Sequence, residues 1–270
     1  MDTLLLLKSL VMGVVEGLTE FLPVSSLGHV IIVGDLLHFP TNISATFEIF
    51  VQIGALIALL LYFAHDLLDL LGRIPSDPGA QRLLVSLGIA FLPAAIIGFV
   101  FGDALKRALF HPTFVAVALV VGGILMLLVE RRMQSQSPVV TSVETVDGPR
   151  ALSNGFSQVL ALWPGMSRSA PTICGGLLCS LDRVTALRFS FYLAIPTLLA
   201  ASALDFVRSL PTLSLSVLPV FLIGAFSAFI VALIVIRFFL GYIAHHGLRP
   251  FAWYRIVVGV LMLAWYTLAR

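Results

Sequence analysis

The residues able to do chemistry are concentrated in two short segments that are surrounded by apolar sequence. Residues 16–29 contain two acids, two serines and a histidine, and residues 162–172 contain an arginine with several hydroxyl side chains. Ionisable groups are costly at membrane depth, so their presence there indicates a functional site. Taken together, acids, hydroxyls, a histidine and an arginine suit phosphate chemistry.

The first segment begins with a pair of carboxylates. Glu16 and Glu20 are four residues apart, so a helix would place them on one face. Neighbouring carboxylates in apolar surroundings repel each other and need a cation, a proton or an arginine between them. Mg²⁺ commonly binds through one or two carboxylates plus substrate phosphates. The pair therefore predicts a divalent-cation site for Mg²⁺ or Ca²⁺, with a solvated helix face as the alternative.

The rest of the first segment predicts a helix break followed by a new helix. Pro23 should end the first helix, and Ser25 or Ser26 is well placed to cap the next one, whose free N–H groups would favour phosphate. His29 is a candidate general base, general acid or nucleophile, because an imidazole titrates near neutral pH. Ser26 is a candidate nucleophile activated by His29. A water nucleophile, with Ser26 only positioning phosphate, is the alternative.

The second segment repeats this plan. Pro164 and Gly165 should break a helix, and Ser169 is predicted to cap the next one. Arg168 is a strong candidate for bidentate phosphate binding, because its planar fork matches phosphate and its charge persists in a dry site. An ion pair between Arg168 and a glutamate is the alternative. The hydroxyl groups predicted to contact substrate are those of Ser25, Ser167, Ser169 and Thr172.

Composition sets the class of protein that must position these groups. Hydrophobic residues form 59% of the chain, charged residues 11%, and the mean hydropathy is +1.06. Soluble domains carry about 25% charged residues. We therefore expect an all-α integral membrane protein. The net charge of +2 is too small to indicate nucleic acid as a partner. We expect the N-terminus to belong to the mature fold, because no basic region precedes its apolar run.

Apolar runs of two lengths give the expected elements. Six are long enough to span a hydrocarbon core of about 30 Å: 46–64, 83–102, 113–130, 188–207, 217–240 and 251–269. Four other stretches are broken by the two segments and predict two re-entrant helix pairs: 3–22, 26–39, 151–163 and 170–181.

A polar stretch at residues 131–150 is predicted to be a linker that divides a single membrane domain, 1–270, into repeats 1–130 and 151–270. The repeats share a Pro-x-x-Ser pattern, which pairs Ser26 with Ser167. Each would contain a re-entrant pair and three crossings, and an odd number of crossings predicts that the second repeat is inverted. Inverted repeats with broken helices commonly place a binding site near the midplane. The two segments are therefore predicted to meet in one pocket.

Basic residues predict an orientation. Those on one side of the expected topology outnumber those on the other, which favours that side as cytoplasmic and places the first segment and both termini at the outer face. The cytoplasmic set is Arg73, Arg82, Arg131, Arg132, Arg150, Arg183, Arg188 and Arg249, and the outer set is Lys8, Lys106, Arg107, Arg208 and Arg270.

Two further pairs have weaker signals. Glu48 and Gln52 lie four apart on an expected crossing and are candidates to line the same cavity. Tyr254 and Arg255 lie near an expected membrane end, where we interpret them as interfacial anchors.

The two segments resemble the signatures of a known family. The stretch from Glu16 to His29 and the run 161–169, Ala-Leu-Trp-Pro-Gly-Met-Ser-Arg-Ser, are similar to those of bacterial undecaprenyl-diphosphate phosphatases of the bacitracin-resistance type. The resemblance covers nearly the whole chain. It implies an integral enzyme of the bacterial cytoplasmic membrane, with its active site at the outer face, that removes the terminal phosphate of undecaprenyl diphosphate, a lipid carrier for cell-wall synthesis.

The resemblance also implies bacitracin resistance, a divalent cation and a homodimer. The functional positions that it carries over are Glu16, Glu20, Ser26, His29 and Arg168, and all are intact here. The chain departs from the family at Leu27, where Thr is common, and at Ala170-Pro171, where Gly-Ala is common. These departures put fine substrate contacts in doubt. A polyprenyl-phosphate transporter is the alternative function, because inverted repeats with broken helices also suit alternating access.

Overall fold

A computed structural model describes residues 3–109, 111–133, 138–210 and 215–268, except for the side chains of Lys106 and Leu215. Within these ranges the chain forms eleven α-helices. They are α1 (Thr3–Thr19), α2 (Ser26–Leu37), α3 (Thr41–Tyr62), α4 (Ala64–Arg73), α5 (Pro78–Leu109), α6 (Pro112–Met133), α7 (Gly148–Val159), α8 (Ser169–Leu178), α9 (Arg183–Ser209), α10 (Leu218–Ile243) and α11 (Arg249–Leu268).

Six of these helices are long and apolar enough to cross a membrane: α3, α5, α6, α9, α10 and α11. Each overlaps one of the six predicted runs, although the bounds of the helices differ from those of the runs by several residues. In the described ranges the only β pairing is an isolated bridge between Val140 and Leu181. A helix satisfies its own backbone hydrogen bonds, which lipid cannot do, so an all-helical arrangement is expected in a bilayer. The prediction of an all-α, multi-pass membrane protein is confirmed.

Four of the five shorter helices form two hairpins, α1–α2 and α7–α8, which we call the first and second hairpin. The open end of the first is held by a hydrogen bond from Lys8 Nζ to the carbonyl of His38, 3.2 Å long. The open end of the second is held by Arg150, whose Nε donates to the carbonyl of Cys179 at 3.2 Å. The four short helices match the four stretches predicted to form re-entrant pairs.

The hairpins enter the protein from opposite ends of α10. At the start of α10, the Ser9 hydroxyl of the first hairpin donates to the carbonyl of Val220. Beyond the end of α10, the N–H of Leu248 donates to Glu130, and Glu130 also pairs with Arg183 directly after the second hairpin. The turns of the hairpins therefore point towards each other. The inverted relation between repeats 1–130 and 151–270 stays a prediction.

The polar stretch at 131–150 is more ordered than the linker that the sequence predicts. Helix α6 continues to Met133 and α7 begins at Gly148, while residues 134–137 lie outside the described ranges, as does Arg270. Between these helices, the N–H of Val140 donates to the carbonyl of Ser180, and Glu144 accepts a hydrogen bond of 2.6 Å from Arg73. Most of the stretch is therefore packed against the helical body.

Helix α4 was not predicted. It is too short to cross a membrane and carries its charge on one side, where Arg73 pairs with Asp69 at 2.9 Å. Leu68 and Leu71 remain exposed on the same helix. The sequence of α4 mixes charged and apolar residues, so it lacks the continuous apolar stretch by which the crossings were predicted. The helix directly follows the turn at the end of α3.

Candidate active site

The turns of the two hairpins meet inside the helical body. Arg168 from the second turn places Nη2 3.6 Å from Oε1 of Glu20 in the first, and both side chains are largely buried. Beside this pair, the Ser169 hydroxyl donates to the carbonyl of Leu22 at 3.0 Å. The prediction that both segments converge on one place is confirmed.

Each turn contains a serine with a left-handed backbone. Ser25 has φ 74° and Ser167 has φ 71°, a conformation that costs a non-glycine residue about 1–3 kcal/mol. Ser25 caps α2, since its Oγ accepts from the N–H of Gly28 at 3.4 Å, as predicted for this serine. In the second turn Gly165 has φ 95°, and a Cβ there would lie 2.4 Å from the carbonyl oxygen of Val115. The packing around the turns maintains this strain.

The start of α8 differs from the prediction that Ser169 caps it. The helix begins at Ser169 itself, after Arg168, which is already helical and makes no capping bond with its side chain. A cap needs an extended residue before the helix, and the Ser169 hydroxyl instead reaches across to the first turn. The Thr172 hydroxyl is 2.6 Å from that of Ser190 and is fully buried. Contacts of these hydroxyls with substrate stay a prediction.

Glu20 is the centre of the site. Ser26 Oγ donates to Glu20 Oε2 at 2.6 Å, a charge-assisted geometry, while the other oxygen of Glu20 faces Arg168. In the described part of the chain, Ser26 pairs with Glu20 and makes no hydrogen bond with His29. The imidazole is turned away because its Nδ1 bonds the carbonyl of Ser25 at 2.7 Å. The acceptor next to the Ser26 hydroxyl is therefore the carboxylate of Glu20 and not the imidazole of His29.

The buried guanidinium of Arg168 uses only some of its N–H groups in hydrogen bonds to the described residues. Its Nη1 donates to the carbonyl of Ser190 at 3.3 Å, and its Cζ lies 6.0 Å from the ring centre of Phe21. Within the described residues, Nε and Nη2 have no hydrogen-bond partner. The distance of 3.6 Å between Nη2 and Oε1 of Glu20 is too long for a hydrogen bond. Buried donors without partners are rare in native proteins. Their presence here fits a site that receives the oxygens of an anion.

A cavity of about 720 Å³ lies on the side of Ser26 and Glu16. Glu16 and Ser26 line it from the first hairpin, and Glu48 and Gln52 line it from α3, which confirms the prediction for this pair. Glu16 also experiences the charges of Glu20 and Glu48. Further lining residues include Leu27, one of the departures from the family, and two cations, Arg107 and Arg208.

The carboxylates can be tested against the predicted cation. Among the residues that the structure describes, no three His, Cys, Asp or Glu side chains are grouped closely enough to hold a metal ion by themselves. Mg²⁺ needs only one or two protein carboxylates when substrate phosphates complete its shell. Glu16 and Glu20 fit that requirement, since Glu16 lines the cavity and Glu20 bonds Ser26 on its wall. A cation at these residues stays a prediction.

Arg255 has a role that differs from the one predicted from the sequence. Its side chain is fully buried, so its interpretation as an interfacial anchor is wrong. The guanidinium donates to five backbone carbonyls, and Gly122 makes room for it, because a Cβ there would lie 2.0 Å from Nη2. Two of the carbonyls are on α6, one is in the first turn and two are in the second: Ala118, Leu119, Pro23, Gly165 and Met166.

Arg255 therefore clamps both turns together from α11. The misinterpretation arose because the sequence placed this arginine at a membrane end, whereas α11 begins at Arg249 and carries Arg255 in its second turn. An arginine this far inside an apolar helix is the signal that could have found it.

Comparison of the sequence with those of known proteins identifies its relatives. Residues 9–261 match the family model described as bacitracin resistance protein BacA. A protein from Ectopseudomonas mendocina named undecaprenyl-diphosphatase is 45% identical over 98% of this chain and 95% of its own. Proteins of the same name from Deinococcus radiodurans and Nitrosomonas europaea are 46% and 47% identical, over 95% and 97% of this chain and 94% and 95% of their own.

Proposed function

This chain belongs to the bacitracin resistance protein BacA family, and from that premise we propose that it hydrolyses undecaprenyl diphosphate to undecaprenyl phosphate and inorganic phosphate. The observation that carries this proposal is the contact between Glu20 and Arg168, with Ser26 bonded to the same carboxylate. A nucleophile, its base and a phosphate-binding cation are thereby brought together from distant parts of the sequence.

Arg168 supplies the electrostatic part of the reaction. Its Nε and Nη2, which have no hydrogen-bond partner among the described residues, would donate to oxygens of the terminal phosphate. The first turn of α2, which begins at Ser26, would add backbone N–H groups, which also favour phosphate. Phosphoryl transfer depends mainly on positioning and on stabilisation of charge, so these donors act where negative charge accumulates in the transition state.

Ser26 is the nucleophile that the geometry favours. Its oxygen attacks the terminal phosphorus while Glu20 accepts the hydroxyl proton, and the anhydride bond to the lipid phosphate breaks. Undecaprenyl phosphate leaves, and Glu20 releases the proton to solvent. Water then attacks the phosphoserine, and Glu20 takes a proton from that water and returns it to Ser26 Oγ as the bond between phosphorus and Ser26 breaks and inorganic phosphate leaves. In the alternative, water attacks the phosphorus directly and Ser26 only positions phosphate. Acid quenching with labelled substrate separates the two, because only the first leaves label on Ser26.

The divalent cation is part of this proposal. Glu16 and Glu20 would hold Mg²⁺ or Ca²⁺, and the ion would neutralise charge on the diphosphate. Phosphate release should therefore stop when a chelator is added and return when either ion is restored. Activity that persists in chelator would remove the cation from the proposal.

The cellular setting is also proposed. The chain would lie in the bacterial cytoplasmic membrane as a homodimer, with its cavity open to the outer face and bacitracin resistance as a consequence of substrate removal. The lipid tail would run along apolar helices beside the cavity, where Leu27, Val30 and Ile49 already form part of the lining.

Purified protein in liposomes that contain undecaprenyl diphosphate tests the activity directly. We expect phosphate release that Arg168→Ala abolishes, without movement of lipid phosphate across the bilayer. Transbilayer movement without phosphate release would contradict hydrolysis and favour the transporter alternative, which the names of the relatives do not support.

A further inference from the structure

His29 is held at both ring nitrogens. Its Nδ1 lies 2.7 Å from the carbonyl oxygen of Ser25 in the first turn. Its Nε2 lies 2.7 Å from the hydroxyl of Tyr254 on α11. The two rings are nearly parallel, at 6°, with their centres 5.5 Å apart. Two elements far apart in sequence therefore determine the orientation of this imidazole.

The chemistry of the two partners determines where the proton of His29 is. A carbonyl oxygen only accepts hydrogen bonds, so Nδ1 must carry hydrogen. In the neutral imidazole the lone pair is then on Nε2, and the Tyr254 hydroxyl donates to it. In the imidazolium, Nε2 carries hydrogen as well, and the same hydroxyl accepts. A hydroxyl can serve both forms by rotating its hydrogen, and Tyr254 itself loses no proton.

Tyr254 is well fixed for this task. Its neighbour Arg255 donates to five backbone carbonyls and is fully buried, so the backbone of α11 has little freedom here. The positive charge of Arg255 also acts on His29. Tyr254 is 46% exposed. It is absent from the described residues that line the cavity. It is placed to act through His29 rather than on substrate.

We propose that Tyr254 is a positioning residue for His29: with the carbonyl of Ser25, it fixes the tautomer of the imidazole and the direction of its only lone pair. This inference rests on the proposed function and on His29 being one of the functional positions that the family resemblance implies. It separates two tasks in the site. Glu20 accepts the proton of Ser26, and Tyr254, bonded to Nε2, holds the imidazole of His29 in one orientation.

Tyr254→Phe tests the inference, because it removes the hydroxyl and keeps the ring. Tyr266→Phe is a matched control: Tyr266 is on the same helix, and its hydroxyl bonds Asp35 on the helix that carries His29. With undecaprenyl diphosphate in detergent, we expect kcat to fall about three- to tenfold for Tyr254→Phe, the size of one neutral hydrogen bond. We expect KM to be unchanged, and both constants to be unchanged for Tyr266→Phe.

A second measurement reports on His29 without relying on activity. Diethyl pyrocarbonate acylates the unprotonated nitrogen of a neutral imidazole, and in the wild type that nitrogen accepts the hydrogen bond from Tyr254. Mass spectrometry of the peptide that contains His29 should show faster modification in Tyr254→Phe than in the wild type or Tyr266→Phe. Equal modification rates, or an unchanged kcat, would overturn the inference. Faster modification in a protein whose wild type releases no phosphate would overturn the proposed function and leave the pairing of Tyr254 with His29 supported.

Discussion

The two hairpins share a plan but carry different charges. In each hairpin two buried polar side chains lie four residues apart near the end of the first helix, and each turn holds a serine with a positive φ. In the first hairpin they are carboxylates, Glu16 in α1 and Glu20 directly after it, whereas in the second they are amides, Asn154 and Gln158 in α7. The only charged group in the second turn is Arg168.

This difference explains why one site needs both hairpins. The amides of the second hairpin are neutral, and Asn154 satisfies its Nδ2 on the carbonyl of Thr172 at 2.9 Å, so they require no counter-charge. Arg168 is therefore available to the acids of the first hairpin, which cannot remain buried together without a cation. The acids and Ser26 come from one half of the chain and the permanent cation comes from the other.

The largest expected effect comes from removing that cation. Arg168→Ala should lower kcat by at least about 10³-fold, the range known for an arginine that stabilises phosphoryl transfer. Arg168→Lys keeps the charge but loses the planar fork, so it should recover only part of the loss. Steady-state phosphate release measures both. Turnover near the wild-type level in Arg168→Ala would mean that the second hairpin does not contribute to the chemistry.

Arg255→Met should have the next largest effect, on stability. It leaves buried carbonyls of both turns without a donor, so we expect the free energy of unfolding in detergent to fall by about 3 kcal/mol or more. Arg249→Met removes an exposed arginine from the same helix and should change stability by less than about 0.5 kcal/mol. If both variants unfold alike, Arg255 is not the clamp between the turns.

A smaller effect separates the two strained serines. Ser167→Gly should raise the free energy of unfolding by about 1 kcal/mol, because glycine adopts a positive φ without strain. Ser25→Gly should gain less, since it also loses the cap on Gly28. Denaturation of the two variants side by side measures the difference. A loss of stability in Ser167→Gly would show that the contacts of the Ser167 hydroxyl contribute more free energy than the relief of backbone strain.

The smallest effect concerns the loops that precede α5 and α7. There Arg73 donates hydrogen bonds to Asp77 at 2.5 Å and to Glu144 at 2.6 Å. The N–H of Gly79 and then the Arg73 guanidinium lower the pKa of Asp77 below its usual value. A carboxyl with a lowered pKa stabilises the fold above its ordinary pKa and loses this contribution as the pH falls through the folded-state pKa.

Asp77→Asn should therefore be less stable than the wild type at neutral pH, and the difference should vanish in acid. Thermal unfolding in detergent between neutral and strongly acidic pH measures it. A difference that persists unchanged at the acid end would mean that the charge of Asp77 is not what stabilises this corner.

Local sequence was sufficient for the crossings, the broken helices and the meeting of Glu20 with Arg168. Apolar length identifies a crossing, and buried charges of opposite sign must find each other. The partner of Ser26 could not be derived in this way, because it depends on how α2 turns His29 towards α11. The shared Pro-x-x-Ser pattern paired Ser26 with Ser167, whereas the backbone conformations pair Ser25 with Ser167.

The clamp by Arg255 could not be derived either, because it depends on the packing of α11 against α6, where Gly122 leaves space for the guanidinium. The sequence contains the arginine and the glycine but not their proximity. The same holds for Ser169, whose partner Leu22 lies in the other half of the chain.

An experimental structure with bound tungstate, an analogue of phosphate, tests most directly whether one site is built from both hairpins. The account predicts a single anion that contacts the Ser26 hydroxyl and the Arg168 guanidinium together, next to Glu20. An anion held by one hairpin alone, with Arg168 out of contact with it and with Glu20, would contradict the account.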